Sequence, residues 1–301
     1  NIKLKIISYK KTSTVTHAME AVSAVKMRKA QERALAARPY ARAALRILSS
    51  LSGSINLIRH PLTVGRTDGK TAIIIITSDK GLAGSLNSAV IRKAELFIRD
   101  HGLTREGVVF LCLGKRGYEF AINRGYEVIH HEINIADTID EREFHAITDQ
   151  ALAFYLNGVV REVRVVYTDF KSTFEQEAAI YKILPLSQKI LEHIVASIRP
   201  ARGKYTEPAL GNGNGVPAYT IEPSEEEVLN LLLPKLANIA VFHKLLESKA
   251  SEHSARMVAM KSATDKAKEM AQDLTRKFNR VRQAAITREV SEITSGIEAM
   301  K

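Results

Sequence analysis

The segment from Ser78 to Asn87, Ser-Asp-Lys-Gly-Leu-Ala-Gly-Ser-Leu-Asn, has the composition of a phosphate-binding turn. It follows a run of β-branched residues, and a glycine-rich turn from strand to helix can hold phosphate on its backbone N–H groups. No Lys-Ser or Lys-Thr pair follows Gly84, and the glycines do not form a G-x-G-x-x-G motif. The alternative is a tight turn in which Ser85 caps the next helix. The residues favour the turn, and a nucleotide-binding enzyme stays an open alternative.

Two histidine positions could indicate metal or general-base chemistry. His130-His131-Glu132 falls in a predicted strand, where adjacent side chains point to opposite faces and cannot chelate one ion together. His253 falls on the apolar seam of a predicted helix, where one buried polar residue more often sets the register. The single cysteine, Cys112, lies in an apolar run and predicts a small buried side chain. We therefore expect no catalytic residue, no metal and no cofactor.

The middle of the chain alternates predicted strands and helices, which indicates a parallel sheet with both faces covered. We expect an inserted Rossmann-like α/β domain whose last strand can run antiparallel to its neighbour. The predicted strands are 71–77, 108–113, 127–131, 161–168 and 178–184, and the predicted helices are 86–101, 116–124 and 141–157.

The C-terminal third predicts a long helix with a 3.5-residue repeat, which is typical of a left-handed coiled coil. With Pro223 at its first position, the helix can begin near Ser224, and Pro234 predicts a kink. The predicted seam consists of Ile239, Phe242, Leu246, Ala250, His253, Met257, Met260, Thr264, Ala267, Ala271, Leu274, Phe278, Val281 and Ala285.

The N-terminal segment predicts a second helix with a similar seam. Val15, Ala18, Val22 and Val25 keep the spacing, which resumes after a phase slip at Ala30, Ala34, Ala37, Ala41, Ala44, Leu48 and Leu51. Pro39 predicts a bend. Neither narrow seam can stand alone in water, so we expect the two helices to form a long antiparallel coiled coil. The chain then divides into an N-terminal coiled-coil helix (1–60), the α/β domain (61–205), and a return loop with the C-terminal helix (206–301).

The chain carries a formal net charge of +11, which indicates an acidic partner. Between Val15 and Arg46 there are seven Lys or Arg residues against two Glu, beside many small uncharged residues. A smooth basic helix suits rotation inside an acidic sleeve. It also suits contact along DNA, although stacking aromatics and a nucleic-acid-binding module are absent from the sequence. A DNA-associated coiled-coil protein therefore stays the second open alternative.

Residues 15–31, Val-Thr-His-Ala-Met-Glu-Ala-Val-Ser-Ala-Val-Lys-Met-Arg-Lys-Ala-Gln, closely resemble the gamma subunit of F-type ATP synthases. The same family resemblance is carried by residues 38–41, 78–87, 251–261 and 282–293, so it covers the whole chain. Where the family commonly has Cys-Gly-Gly after Gly-Leu, this chain has Ala83-Gly84-Ser85.

The resemblance implies a non-catalytic rotor, the central stalk of a proton-transporting complex. Its implied partners are a ring of three alpha and three beta subunits, the epsilon subunit and the membrane c-ring, with no nucleic acid. It implies a peripheral location on the cytoplasmic face of a bacterial inner membrane, or alternatively on the matrix side of the mitochondrial inner membrane.

The resemblance also implies two interfaces. The contact with the catalytic ring would use Met19, Lys26, Arg28, Lys29, Arg256, Gln283, Thr287 and Glu289. The contact with the rotor ring and epsilon would use Tyr219 and Glu222.

Overall fold

The computed structural model describes residues 2–36, 55–139, 141–186, 222 and 224–299. Several expectations lie outside these residues: the seam from Ala37 to Leu51, the bend at Pro39, the return loop before Glu222, and Tyr219. Helices α1 (Ile2–Ala36) and α2 (Ile55–Arg59) precede the sheet.

One sheet contains β1 (Lys70–Ile76), β2 (Val108–Leu113), β3 (Glu127–Glu132), β4 (Val160–Phe170) and β5 (Gln176–Leu184). Its spatial order is β3-β2-β1-β4-β5. All pairs are parallel except β4 with β5, which is antiparallel. The order reverses between β1 and β4, as in doubly wound α/β folds. The predicted parallel sheet and the antiparallel last strand are confirmed.

Helices α3 (Leu86–Asp100) and α4 (Lys115–Asn123) cover one face of the sheet. Ile73, Ile75 and Phe110 pack there against Val90 and Phe97. Cys112 belongs to the same cluster and is fully buried, as predicted, and burial raises the pKa of its thiol to about 12.

The other face packs against α5 (Glu141–Leu156) and the first part of α6 (Glu225–Ala299). Ile74 and Leu111 meet Phe144 and Phe242 in this cluster. Because both faces are covered, Ile73–Ile76 are all buried, which explains why β1 is apolar throughout rather than alternating. The predicted elements of the domain are all present, with ends shifted by no more than two residues.

Packing divides the chain into two compact units, Val25–Ala255 and a second formed by Asn1–Ala24 with Arg256–Lys301. Helices α1 and α6 each contribute to both units. The division by element type into 1–60, 61–205 and 206–301 stays a prediction.

Within the larger unit, α6 is a core helix of the α/β domain. Leu236, Ala237, Val241 and Leu245 are as buried as Phe242, so this stretch is covered almost all round. The predicted seam positions Ile239, Phe242, Leu246 and Ala250 are buried here, but the positions between them are buried as well, because the α/β domain also packs against the helix. The helix begins at Glu225, with Ser224 as its cap: the Glu227 N–H donates to Ser224 Oγ at 3.2 Å. It continues through Pro234.

In the smaller unit, α1 and α6 lie antiparallel, as predicted. The hydroxyls of Thr16 and Thr264 are 2.6 Å apart. Earlier residues of α1, Lys10 and Ser13, line a groove together with later residues of α6, Ala271 and others. The C-terminal seam is confirmed here by buried Met260, Thr264, Ala267 and Ala271.

The N-terminal seam predicted from the valines is wrong. Val15, Val22 and Val25 are 55–58% exposed, whereas Ser13, Thr16 and Ser23 are buried. Ten of the less exposed positions of α1 follow one unbroken alternation of three and four residues without a phase slip: Ile2, Ile6, Tyr9, Ser13, Thr16, Glu20, Ser23, Met27, Ala30 and Ala34. The other less exposed positions, Met19, Ala24, Gln31 and Arg33, lie beside this stripe. The four buried positions among them, Ser13, Thr16, Ser23 and Ala30, carry small side chains.

Every side chain described after Phe278 is exposed, including Val281 and Ala285 of the predicted seam. Ile2 lies 14 residues before Thr16, and Phe278 lies 14 residues after Thr264, so the described part of α1 ends at the level of Phe278. Among the described residues, the less exposed positions of the predicted seam thus extend as far as Phe278.

Between Glu225 and Ile297, α6 is long and apolar enough to meet length and hydropathy criteria for a membrane span. However, 72% of its apolar window is buried within the protein. Core helices meet the same criteria, so this feature is weak evidence for a span.

Candidate functional site

The turn Ser78–Asn87 uses its polar groups internally. Asn87 Oδ1 accepts from the Ser78 N–H at 2.9 Å, and Asn87 Nδ2 donates to Ser78 Oγ at 2.7 Å. Leu82 and Gly84 have φ values of 64° and 59°. Ser85 occupies the N-cap position of α3 without a capping hydrogen bond from its side chain, so that prediction is wrong. The bond from Asn87 fixes the helix to the strand instead.

The next loop is bound to the same turn. Asp79 Oδ1 accepts from the Lys115 N–H at 2.9 Å, and Thr77 Oγ1 accepts from the Gly117 N–H at 2.8 Å. Gly114 has φ 104°, and a Cβ there would lie 2.1 Å from the Thr77 carbonyl oxygen. The turn therefore builds the close contact between two loops.

The crevice where a doubly wound domain would bind a nucleotide is filled by the chain's own helix α6. Ser248 Oγ accepts from the Thr168 N–H at 3.1 Å, and Ser251 Oγ donates to the Thr168 carbonyl oxygen at 3.3 Å. The space among Ser78, Leu86, Ser248, Lys249 and Glu252 is about 10 Å³. That volume is too small for more than a single water. This arrangement leaves no room for a nucleotide at the crevice.

The histidines of β3 have structural neighbours. The His131 ring stacks on Tyr118 with centroids 4.2 Å apart, and His130 Nε2 lies 4.0 Å from Glu132 Oε2. Among the described residues, no group of three or more His, Cys, Asp or Glu side chains could hold a metal ion.

The Asp137 cluster, formed by Asp137, Lys26, Arg33, Lys249 and His253, was missed by the sequence reasoning. Lys26 Nζ lies 2.7 Å from Asp137 Oδ2, while His253 Nε2 lies 3.0 Å and Lys249 Nζ 3.7 Å from Oδ1. Arg33 donates to the Asp137 carbonyl oxygen. Each of the four basic residues is more than 100 positions from Asp137 in the sequence, and no local pattern connects them to it.

The hydrogen bond from His253 holds the pKa of Asp137 far below its ordinary value. Lys26 and Lys249 act in the same direction, and burial opposes them. His253 thus pairs with a loop of the α/β domain, which corrects its predicted place on the coiled-coil seam.

A second buried polar group lies where α6 meets β4 and β5; we call it the Lys244 group, and it contains Lys244, Glu247, His243, Tyr167 and Tyr181. Lys244 Nζ is 3.0 Å from Glu247 Oε2 and lies over the Tyr167 ring at 4.7 Å. Burial raises the pKa of Glu247 to about 7, against the attraction of Lys244. Burial also raises the pKa values of both tyrosines.

The residues predicted to contact the catalytic ring differ in their surroundings. Arg28, Lys29, Gln283, Thr287 and Glu289 are exposed, and Met19 is half-buried. Lys26 is bound to Asp137, and Arg256 is only 9% exposed. Glu222, predicted for the rotor-ring contact, is exposed.

The described residues place the chain in a class of proteins in which a doubly wound α/β domain is inserted between two long terminal helices. A sequence model of one family, described as ATP synthase, matches residues 1–300. The chain belongs to this family, the gamma or central-stalk subunits of ATP synthase.

Solved structures have the same fold. A chain of the Tetrahymena thermophila mitochondrial ATP synthase central stalk and c-ring is 22% identical, with a TM-score of 0.60 over 83% of this chain and 99% of that one. A chain of the Euglena gracilis mitochondrial rotor is 15% identical, with a TM-score of 0.61 over 95% and 97%. A chain of the Euglena OSCP, F1 and c-ring assembly is 16% identical, with a TM-score of 0.65 over 99% and 93%.

Proposed function

We propose that this chain is the rotor of an ATP synthase, a non-catalytic subunit that turns inside a ring of three alpha and three beta subunits. Proton flow turns the membrane c-ring and the chain with it. The uneven surface of the chain then changes the relative energies of the conformations of the beta subunits, where ATP is made. The family match over residues 1–300 carries this proposal.

The exposed end of α6 supports a surrounding partner. Ile286, Val290, Ile293 and Ile297 recur at helical spacing and are 51–64% exposed. A continuous apolar stripe of this kind indicates a protein interface. We assign it to the catalytic ring, together with the exposed Gln283, Thr287 and Glu289.

A second apolar stripe lies on α1. Leu4, Ile7, Val15 and Val22 are 42–62% exposed on the side away from the seam. Arg28 and Lys29 follow as exposed cations on the same helix. We propose that these residues and Met19 meet the ring, with the two cations facing an acidic loop of a beta subunit.

At the other end of the assembly, Glu222 and Tyr219 would meet the c-ring and epsilon. The complex would hold the chain at the matrix side of the mitochondrial inner membrane, in line with the mitochondrial origin of the similar structures. The cytoplasmic face of a bacterial inner membrane, which is the first expectation from the sequence, becomes the alternative proposal.

Reconstitution with purified alpha and beta subunits tests the proposal. We expect a stable complex, ATP hydrolysis only when the ring is present, and rotation of the chain within it. The variant Ile286→Asp with Val290→Asp should bind the ring about tenfold more weakly, a change of about 1.4 kcal/mol. The control Ser291→Asp adds a charge at an exposed polar position and should bind normally. ATP hydrolysis by the homogeneous chain alone would contradict the proposal.

A further inference from the structure

The loop 133–139, between β3 and α5, is bound to both terminal helices. From α1, Lys26 reaches the Asp137 carboxylate, and Arg33 donates to the carbonyl oxygens of Asp137 and Ile139. These two cations are seven residues apart and therefore share one face of the helix. The loop thus contacts the face of α1 that carries Lys26 and Arg33, within the larger unit.

From α6, Lys249 and His253 reach the same loop. Lys249 Nζ donates to the Ile135 carbonyl oxygen at 2.8 Å, and His253 Nε2 lies 3.0 Å from Asp137 Oδ1. The two residues are four apart and share one helix face. The His253 side chain is 4% exposed and the Lys249 side chain 13%, whereas the Asp137 side chain is 30% exposed, so these contacts are buried mainly on the side of α6.

One carboxylate therefore joins the two helices and the α/β domain. Its two oxygens are divided between them, with Lys26 on Oδ2 and His253 and Lys249 on Oδ1. A shift of either helix by one residue, about 1.5 Å along its axis, would break a contact. The arrangement fixes the axial register of α1, α6 and the loop together.

We propose that Asp137 is a positioning residue through which force passes between the α/β domain and both terminal helices, and that Lys26 serves this internal role rather than the ring contact. This inference rests on the proposed rotor function. A rotor needs such a connection because relative slippage of its parts would lose the work done by rotation.

The test is a double-mutant cycle in the membrane-bound complex, measured as protons pumped per ATP hydrolysed. Asp137→Asn removes the charge with little change in shape, and Lys26→Gln removes one partner. We expect Asp137→Asn to lower the number of protons pumped per ATP about threefold. The double variant should show no larger decrease than Asp137→Asn alone, since both changes remove the same contact between Lys26 and Asp137. Lys26→Arg, which keeps the positive charge that Lys26→Gln removes, should have the wild-type ratio.

Asp100→Asn is the matched control, because this aspartate is 62% exposed on α3, and it should pump normally. If Asp137→Asn does not assemble, His253→Leu replaces it in the cycle, since leucine removes the ring nitrogen that contacts the carboxylate. An unchanged ratio in the variants would overturn the inference. Decreases that are additive in the double variant would also overturn it, and would indicate that Lys26 contacts the catalytic ring instead. Failure of the wild-type complex to rotate would instead reject the rotor function.

Discussion

At the scale of single residues, the Lys244 group shows how burial alters a carboxyl group. The Glu247 side chain is 13% exposed and is paired with Lys244, which is 3% exposed. Burial dominates the pair, since the pKa of Glu247 rises from 4.5 to about 7. Buried ion pairs often contribute little to stability because desolvation offsets their attraction. The group therefore makes folding sensitive to pH.

The sign of this effect follows from proton binding. Between pH 4.5 and about 7, folded Glu247 keeps a proton that the unfolded chain has released, so the free energy of unfolding falls as pH rises through this range. His60 acts oppositely, because burial lowers its pKa below 6.5. Comparing wild type with Glu247→Gln cancels the contribution of His60.

We expect the stability difference between wild type and Glu247→Gln to change by about 2–3 kcal/mol between pH 5 and 8, with the variant gaining at high pH. Denaturant unfolding of the purified chain at both pH values measures this. Glu106→Gln, at an exposed position, is the control. A pH-independent difference would show that Glu247 titrates normally in the folded chain.

At the scale of elements, α1 carries two heptad stripes. The valine stripe has the composition of a core, yet it faces outward, and the stripe with Ser13, Thr16 and Ser23 faces α6. The hydroxyls of this seam form hydrogen bonds within α1 and between the two helices. Ser23 Oγ donates to the Met19 carbonyl oxygen, and the Thr16 hydroxyl contacts the Thr264 hydroxyl. The outward valines are then available for a partner.

The threonine pair gives a direct test of this seam. Thr264→Val should cost about 1 kcal/mol, because it removes the hydrogen bond between the two hydroxyls and leaves Thr16 only the carbonyl oxygens of Thr12 and Ser13 in its own helix. The double variant with Thr16→Val should recover most of that loss. Unfolding free energies of the four chains measure the coupling. Val22→Thr, at a position 55% exposed, should change stability by less than about 0.5 kcal/mol. A large loss of stability in Val22→Thr, with no loss in Thr264→Val, would instead indicate that the valines form the seam with α6.

At the scale of the whole molecule, the family match extends over residues 1–300. Helix α6 fills the crevice of the doubly wound domain, and the exposed apolar stripes lie on α1 and α6. The proposed rotor works through unequal contacts with neighbours, so a single added charge at the ring contact should alter coupling.

Met19→Lys provides that charge. A cation facing an acidic beta-subunit loop should over-stabilise one rotary position, so we expect proton-coupled ATP synthesis to fall while hydrolysis is partly retained. The measurement is the ratio of pumping to hydrolysis in membranes. Met19→Leu conserves volume and should behave as wild type. Unchanged coupling in Met19→Lys would refute the assignment of Met19 to this contact.

Local sequence determined the elements. Runs such as 108–113 predict strands because continuous apolar β-branched segments match a sheet covered on both faces, and the alternation of strands and helices predicts the parallel order. The heptads around Thr264 likewise predict a paired helix. These signals are local, so the sequence alone carries them, and the resemblance at both ends of the chain identified the family.

The tertiary structure alone decided which faces are used. Two stripes at heptad spacing on α1 satisfy the same periodicity, so only packing against α6 could choose the polar one. The Asp137 cluster joins residues more than 100 positions apart, and electrostatic partners at that separation leave no periodic trace. Whether the crevice of the α/β domain is open likewise depends on where α6 packs against the sheet. Periodicity specifies an element and its possible faces, whereas the partner that covers each face is set by long-range packing.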